Sequence, residues 1–530
     1  MEKRRIEIYD TTLRDGSQGE GVNFTVEDKL KIAQRLDEFG MDYIEGGWPA
    51  SNPKDSEFFQ RARGLKLSHA KLAAFGSTRR AKLKAEEDEN LQALVACETP
   101  VVTIFGKSWD MHVTHALKVS LQQNLEMIYD SVKFLRERVP QVIYDAEHFF
   151  DGYKHNPEYA VKTLLAAQEA GADILVLCDT NGGTLPTEIA QIMEEVKARV
   201  HAPLGIHTHN DSECAVANSL IAIQHGAMHV QGTINGYGER TGNANLCSII
   251  PALMLKMGYD CLKPDSLTHL TALSGYIDEI ANMPHNHRMP YVGRSAFAHK
   301  GGVHVDAVLK HERTYEHIPP AAVGNERRIL VSELAGGATV AHHAQRLGLQ
   351  LDKSTPEVRR VLQKVAHLEN EGYSFEAAEA SFELMLMQQT GHYRKLFDLK
   401  GFRVIVEKRG DKGEVVTEAT VKVAVDGREM LTVAEGNGPV HALDSALRKA
   451  LLEFYPELAQ IRLTDYKVRV VNVREGTAAK VRVIVESEDG EQTWSTTGVS
   501  TNIIEASWHA LVDSIEYGLL TMKTEAKATP

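Results

Sequence analysis

Over its first 280 residues the chain alternates short β-branched apolar runs with longer amphipathic segments. RIEIYD, MDYIEGG, KLAAFGS, PVVTIFG, QVIYDAE, ADILVLCDT, PLGIHTH and HVQGTING read as strands, each short, apolar and bounded by turn-forming residues. The stretches between them carry the helical period. In TVEDKLKIAQRLDEFG, Thr25 and Asp28 spell a capping box, Leu30, Ala33 and Leu36 share one face, and Gly40 ends the helix. Eight strand–helix units in about 250 residues predict an α/β fold, a (β/α)8 TIM barrel. An open doubly wound sheet would call for a Gly-rich dinucleotide fingerprint after the first strand, and the sequence has none there.

The pattern changes after residue 280. MPHNHRMPYVGRSAFAHKGGVHVDAVLK is rich in Gly and His, and the stretch from about 330 to 395 is helical in period, with Val361, Val365, Leu368 and Phe382 on apolar positions. From about 400 the period switches to that of strands and repeats: two successive blocks each read as three strands and a helix. The expected organisation is a catalytic barrel over 1–280, a linker subdomain over 281–330, a helical subdomain over 331–398 and a regulatory or dimerisation domain over 399–530.

Composition narrows the function. A formal charge of −13 with no basic block excludes nucleic acid or an anionic membrane as an expected partner, and no apolar run reaches membrane-spanning length. Five cysteines without CxxC spacing fit a reduced, cytoplasmic setting.

In a barrel, chemistry gathers at the C-terminal ends of the strands. That rim collects Arg14 and Asp15 after strand one, Glu45 from strand two, Glu147 from five, Asp179 and Thr180 from six, and His207 and His209 from seven. In IHTHND the two histidines stand at i and i+2, on one face of a strand, and so present two imidazoles to one ion. Asp15 adds a carboxylate and Asn243, in NGYGERTGNANL, an amide oxygen. Two nitrogens and two oxygens suit a divalent ion such as Mn2+, Mg2+, Zn2+ or Co2+. Such an ion acts as a Lewis acid, and the permanently charged, fork-shaped Arg14 beside it is suited to stabilise a developing oxyanion.

DTTLRDG, HTHND, NGYGERTGN and GGVHVDAVLK, in this order and spacing, resemble the α-isopropylmalate, homocitrate and citramalate synthases, and the resemblance spans nearly the whole chain. It implies a metal-dependent Claisen condensation of acetyl-CoA with a 2-keto acid, followed by thioester hydrolysis. It further implies His304 as the base or its partner, accompanied by Tyr315, in a segment that completes the active site of the other subunit of a homodimer. Thr180 is implied to bind the keto-acid carboxylate, with Gln18 and Glu45 also at the substrate. Glu147 is implied to orient the base, hold a hydrolytic water, or pair with a rim cation. Where isopropylmalate synthases carry a Ser-Pro-Glu-like run, this chain has Asp145-Ala146-Glu147.

EGGWPASNPKD and DAEHFFDGYKHNPEYA are most similar to the citramalate-forming branch. They imply pyruvate as the keto acid, with Trp48, Phe149 and Phe150 as candidates to narrow the pocket, and isoleucine as the effector of the repeated C-terminal domain. 2-Ketoisovalerate and 2-oxoglutarate remain the alternative substrates, and a metal-dependent lyase or hydrolase on the same barrel remains the alternative class.

Overall fold

The computed structural model describes residues 4–408, 410–411 and 413–528. Eight strands, β1 (Glu7–Asp10), β2 (Tyr43–Gly47), β3 (Lys71–Ser77), β4 (Val101–Lys107), β5 (Gln141–Glu147), β6 (Ile174–Asp179), β7 (Leu204–Thr208) and β8 (His229–Gly232), form a closed parallel barrel in chain order. β1 closes the ring on β8, with Glu7 opposite His229 and Asp10 opposite Gly232. The first helix, Val26–Phe39, begins as its sequence predicts: Thr25 and Asp28 cap each other reciprocally, and Gly40 ends it at φ 100°.

The near-continuous apolar runs of the strands follow from burial on both faces. Outward-facing Ile8, Ile44 and Val102 pack under the surrounding helices. Inward-facing Tyr9, Tyr43, Val101, Ile143 and Val176 fill the barrel. Above that plug the interior turns polar: the Tyr9 hydroxyl donates to Glu45 Oε1 at 2.8 Å and lies 2.8 Å from Thr103 Oγ1. This polar layer is the floor of the site.

The chain divides into two compact units, residues 1–297 with 318–326, and residues 298–317 with 327–530. In the second, β9 (Ala298–His299) pairs with β10 (Arg328–Ile329). Helices Gly337–Arg346, Pro356–Asn370 and Glu379–Thr390 follow, packed around Val340, Val361, Val365 and Phe382.

Two antiparallel sheets come next, β11 (Asp398–Lys408), β12 (Val415–Val425), β13 (Arg428–Gly436) and β14 (Arg462–Val470), β15 (Val481–Glu488), β16 (Thr493–Ser500). Each leads into a helix, Pro439–Leu451 and Ile503–Ala528. The repeat is physical as well as textual: Thr432 donates to Ala446 O and Thr496 to Ala510 O, each at 2.7 Å, tying strand to helix alike in both copies. Among the described residues no helix is long and apolar enough to cross a membrane.

Candidate active site and metal centre

The chain turns back over the barrel mouth immediately after β1. Asp10 accepts from the backbone N–H and the hydroxyl of Thr12, both at 2.9 Å, and Thr12 Oγ1 accepts from Ile234 N. This side-chain-to-backbone turn brings Arg14 and Asp15 back to the rim, where they face different partners. Asp15 Oδ2 lies 3.3 Å from His207 Nε2. Arg14 donates from Nε to Glu45 Oε2 at 2.6 Å, and its guanidinium lies 3.7 Å above the centre of the Phe75 ring, in cation–π range.

His207 and His209 both aim Nε2 at the same point, 3.3 Å apart. Asn243 reaches them because the loop after β8 pairs back onto β7, with Asn243 opposite His209. Two glycines make that loop possible. Gly242 sits at φ 94°, where a Cβ would stand 1.9 Å from Gly236 O, and a Cβ on Gly238 would meet the Asn243 amide at 2.2 Å. The loop is held from outside by Asp278, which accepts from the Tyr237 hydroxyl, from Asn235 Nδ2 at 2.7 Å and from His285 Nδ1 at 2.6 Å.

Asp15, His207 and His209 are buried and offer ligand atoms within 4.8 Å of one another. Asn243 spends its amide N–H on Tyr237 O, while its Oδ1 is buried with no donor among the described residues. Two imidazoles and a carboxylate this close together, with an orphaned amide oxygen on the residue bridged to His209, fit a divalent cation. Electrostatics agree. Burial opposes the charge on Asp15, but Arg14 and the neighbouring His207 outweigh it and hold the carboxyl well below its usual range. Burial, then the neighbouring His207, lowers His209 to about 4, which keeps it neutral and able to ligate.

Asp15, His207 and His209 open on a cavity of about 230 Å³. One wall is aromatic: the Trp48 ring stands edge-on to Phe75 and Phe105, which stack on each other at 5.6 Å. Trp48 is pinned, its indole N–H on Asn90 Oδ1 at 2.7 Å and its backbone N–H on Asp55 Oδ2 at 2.9 Å. The polar wall holds Gln18, Glu147 and Thr180. Thr180 Oγ1 accepts from the backbone of His148 at 2.8 Å, leaving its hydroxyl proton to donate. Asp145 also lines the cavity, raised to about 7 by burial and then by the charge of Glu45.

Two expectations change with the structure. Glu45 is fully buried, its two oxygens taken by Tyr9 and Arg14, so it holds Arg14 rather than the substrate. Phe149 and Phe150 belong to the outer core between barrel and helices, because they open a helix just past β5; the narrowing aromatics beside Trp48 are Phe75 and Phe105. Glu147 forms an ion pair with Lys107, a rim cation at the end of β4 that sequence reasoning passed over. His304 and Tyr315 lie in the second compact unit, their rings stacked with centroids 4.2 Å apart.

Residues 5–274 match the HMGL-like family, residues 291–372 the homocitrate synthase post-HMGL domain-like family, and residues 376–519 the LeuA allosteric (dimerisation) domain. The (R)-citramalate synthase of Aquifex aeolicus is 57% identical over 98% of this chain and 99% of its own. That of Geobacter sulfurreducens is 57% identical over 97% of each. The 2-isopropylmalate synthase of Methanocaldococcus jannaschii covers 96% of the chain at 30% identity, and 94% of its own length. With the barrel, the rim residues and the C-terminal repeat all in this order, the chain belongs to the HMGL-like family and stands within it among the (R)-citramalate synthases.

Proposed function

We propose that the protein condenses acetyl-CoA with pyruvate and hydrolyses the thioester to give (R)-citramalate. The observation that carries this reading is the rigid aromatic wall of Trp48, Phe75 and Phe105 beside the cluster of Asp15, His207 and His209. Such a wall gives a methyl group an apolar seat, whereas an isopropyl group needs more room and a second carboxylate needs a cation there.

The residues take their parts from this arrangement. Asp15, His207, His209 and Asn243 hold a divalent ion, which when bound supplies Lewis-acid polarisation of the keto carbonyl. Arg14, fixed by Glu45 and Phe75, sets a guanidinium beside the keto oxygen and balances the negative charge that grows there. The Thr180 hydroxyl donates to the keto-acid carboxylate, and Gln18 adds a second polar contact. Glu147, at the rim with Lys107, is placed to orient the base or the hydrolytic water. His304, with Tyr315 against it, takes the proton from the acetyl methyl of the partner subunit's substrate.

The C-terminal repeat serves dimerisation and binds isoleucine as effector. Its match to an allosteric dimerisation domain supports the first role and an amino-acid end product the second. Release of CoA thiol with pyruvate, 2-ketobutyrate, 2-ketoisovalerate and 2-oxoglutarate as competing acceptors tests the assignment.

A further inference from the structure

We infer that Asp145 and Gln231 are positioning residues for the metal centre: a hydrogen-bonded line from β5 through β8 to β7 fixes which ring nitrogen of His207 carries its proton. The inference rests on the metal reading of Asp15, His207 and His209.

The line is short and its middle member is enclosed. His207 Nδ1 lies 2.8 Å from Gln231 Oε1, and Gln231 Nε2 donates to Asp145 Oδ1 at 3.1 Å. Gln231 is fully buried, with His207 and Asp145 nearly so. An amide oxygen only accepts. Facing Gln231 Oε1, His207 Nδ1 must therefore carry the proton, and Nε2 keeps its lone pair. That lone pair points at Asp15 and His209.

Gln231 by itself does not decide this. Its amide has two near-isosteric orientations, and the flipped one would donate from Nε2 to His207 Nδ1. The ring proton would then sit on Nε2, in the place of the ion. Asp145 settles the orientation: Oδ1 accepts from Gln231 Nε2, as an ionised carboxylate must and as a neutral one does with its proton on Oδ2. An acceptor across the barrel thus holds the amide, the amide holds the tautomer, and the tautomer makes a ligand of His207. Partners behind a ligating histidine typically contribute about 10- to 100-fold in metal affinity.

The test is titration of metal-free full-length protein with Mn2+, followed by calorimetry, for the wild type and for Gln231→Leu, Asp145→Leu and Asp145→Asn. Asparagine keeps an acceptor oxygen for Gln231, while leucine keeps the bulk and removes it. The expected result is wild-type affinity in Asp145→Asn and a loss of about 10- to 100-fold in both leucine variants. Undiminished affinity in the leucine variants would overturn the inference, as would an Asp145→Asn loss as large as that of Asp145→Leu. If Gln231→Leu does not fold, the two Asp145 variants decide alone. Failure of the wild type to bind Mn2+, with His207→Ala no different, would instead sink the metal reading beneath it.

Discussion

His207 and His209 face each other through their Nε2 atoms at 3.3 Å, with Asp15 Oδ2 at the same distance from His207. Two unprotonated imidazole nitrogens do not approach so closely without a shared cation or proton, and burial keeps His209 neutral near pH 7. The pair is therefore expected to act as one ligand set. His209→Ala should lose metal by more than about 100-fold, beyond the loss from an outer partner, together with condensation activity. Metal content by mass spectrometry, read beside CoA release, checks this; full activity with full metal content in the variant would contradict it.

Arg14 is held by Glu45 on one side and by the Phe75 ring on the other. A lysine keeps the charge but loses the planar fork that satisfies both contacts. Arg14→Lys should bind metal as the wild type does and lose about 100- to 1,000-fold in kcat, the scale seen when one oxyanion donor is removed. Equal losses in metal affinity and rate would show that Arg14 serves the ligands rather than the reaction.

Much of this was legible in the chain because the signals are local. Period and turn residues mark eight strands, and the i, i+2 spacing puts His207 and His209 on one face. The missing parts depend on strands that meet only in the closed barrel. Gln231 and Asp145 lie 86 residues apart, and although Asp145 stands out in the sequence, nothing there ties it to Gln231 until β5 and β8 face each other. Phe75 and Phe105 look like core, and only the closed barrel sets them beside Trp48. Glu45 reads as a rim carboxylate, yet Tyr9 and Arg14 take both its oxygens. Phe149 misleads for the same reason: the chain turns into a helix there, and its ring goes to the outer core.

Asp10 gives the barrel a pH signature. Its carboxyl is raised to about 7, by burial first, with the bonds from Thr12 pulling the other way. An unfolded aspartate titrates near 3.9, so between about pH 4 and 7 the folded protein retains a proton that the unfolded chain has lost, and stability falls as pH rises through that window. Asp10→Asn has no such dependence. Its stability relative to wild type should grow from pH 5 to 8, by about 3 kcal/mol. Thermal melts of both proteins across that range measure it; a variant that loses ground as pH rises would refute the burial argument.

His304 lies in a different compact unit from the metal ligands, which makes complementation decisive for the trans reading. Inactive His304→Ala and inactive His207→Ala proteins, mixed under conditions of verified subunit exchange, should recover activity. Each hybrid dimer would hold one site with both defects and one with neither. No recovery would place the base within the same subunit as the metal ligands.

The central claim is that a metal-holding rim and an aromatic wall together select pyruvate. The most direct measurement is kcat/KM for CoA release with each of the four keto acids. Each added methylene is worth about 1–3 kcal/mol against a fitted apolar wall. Pyruvate should therefore give the largest value, 2-ketobutyrate a smaller one, and 2-ketoisovalerate one at least about 100-fold below pyruvate. A higher kcat/KM for 2-ketoisovalerate or 2-oxoglutarate than for pyruvate would contradict the account.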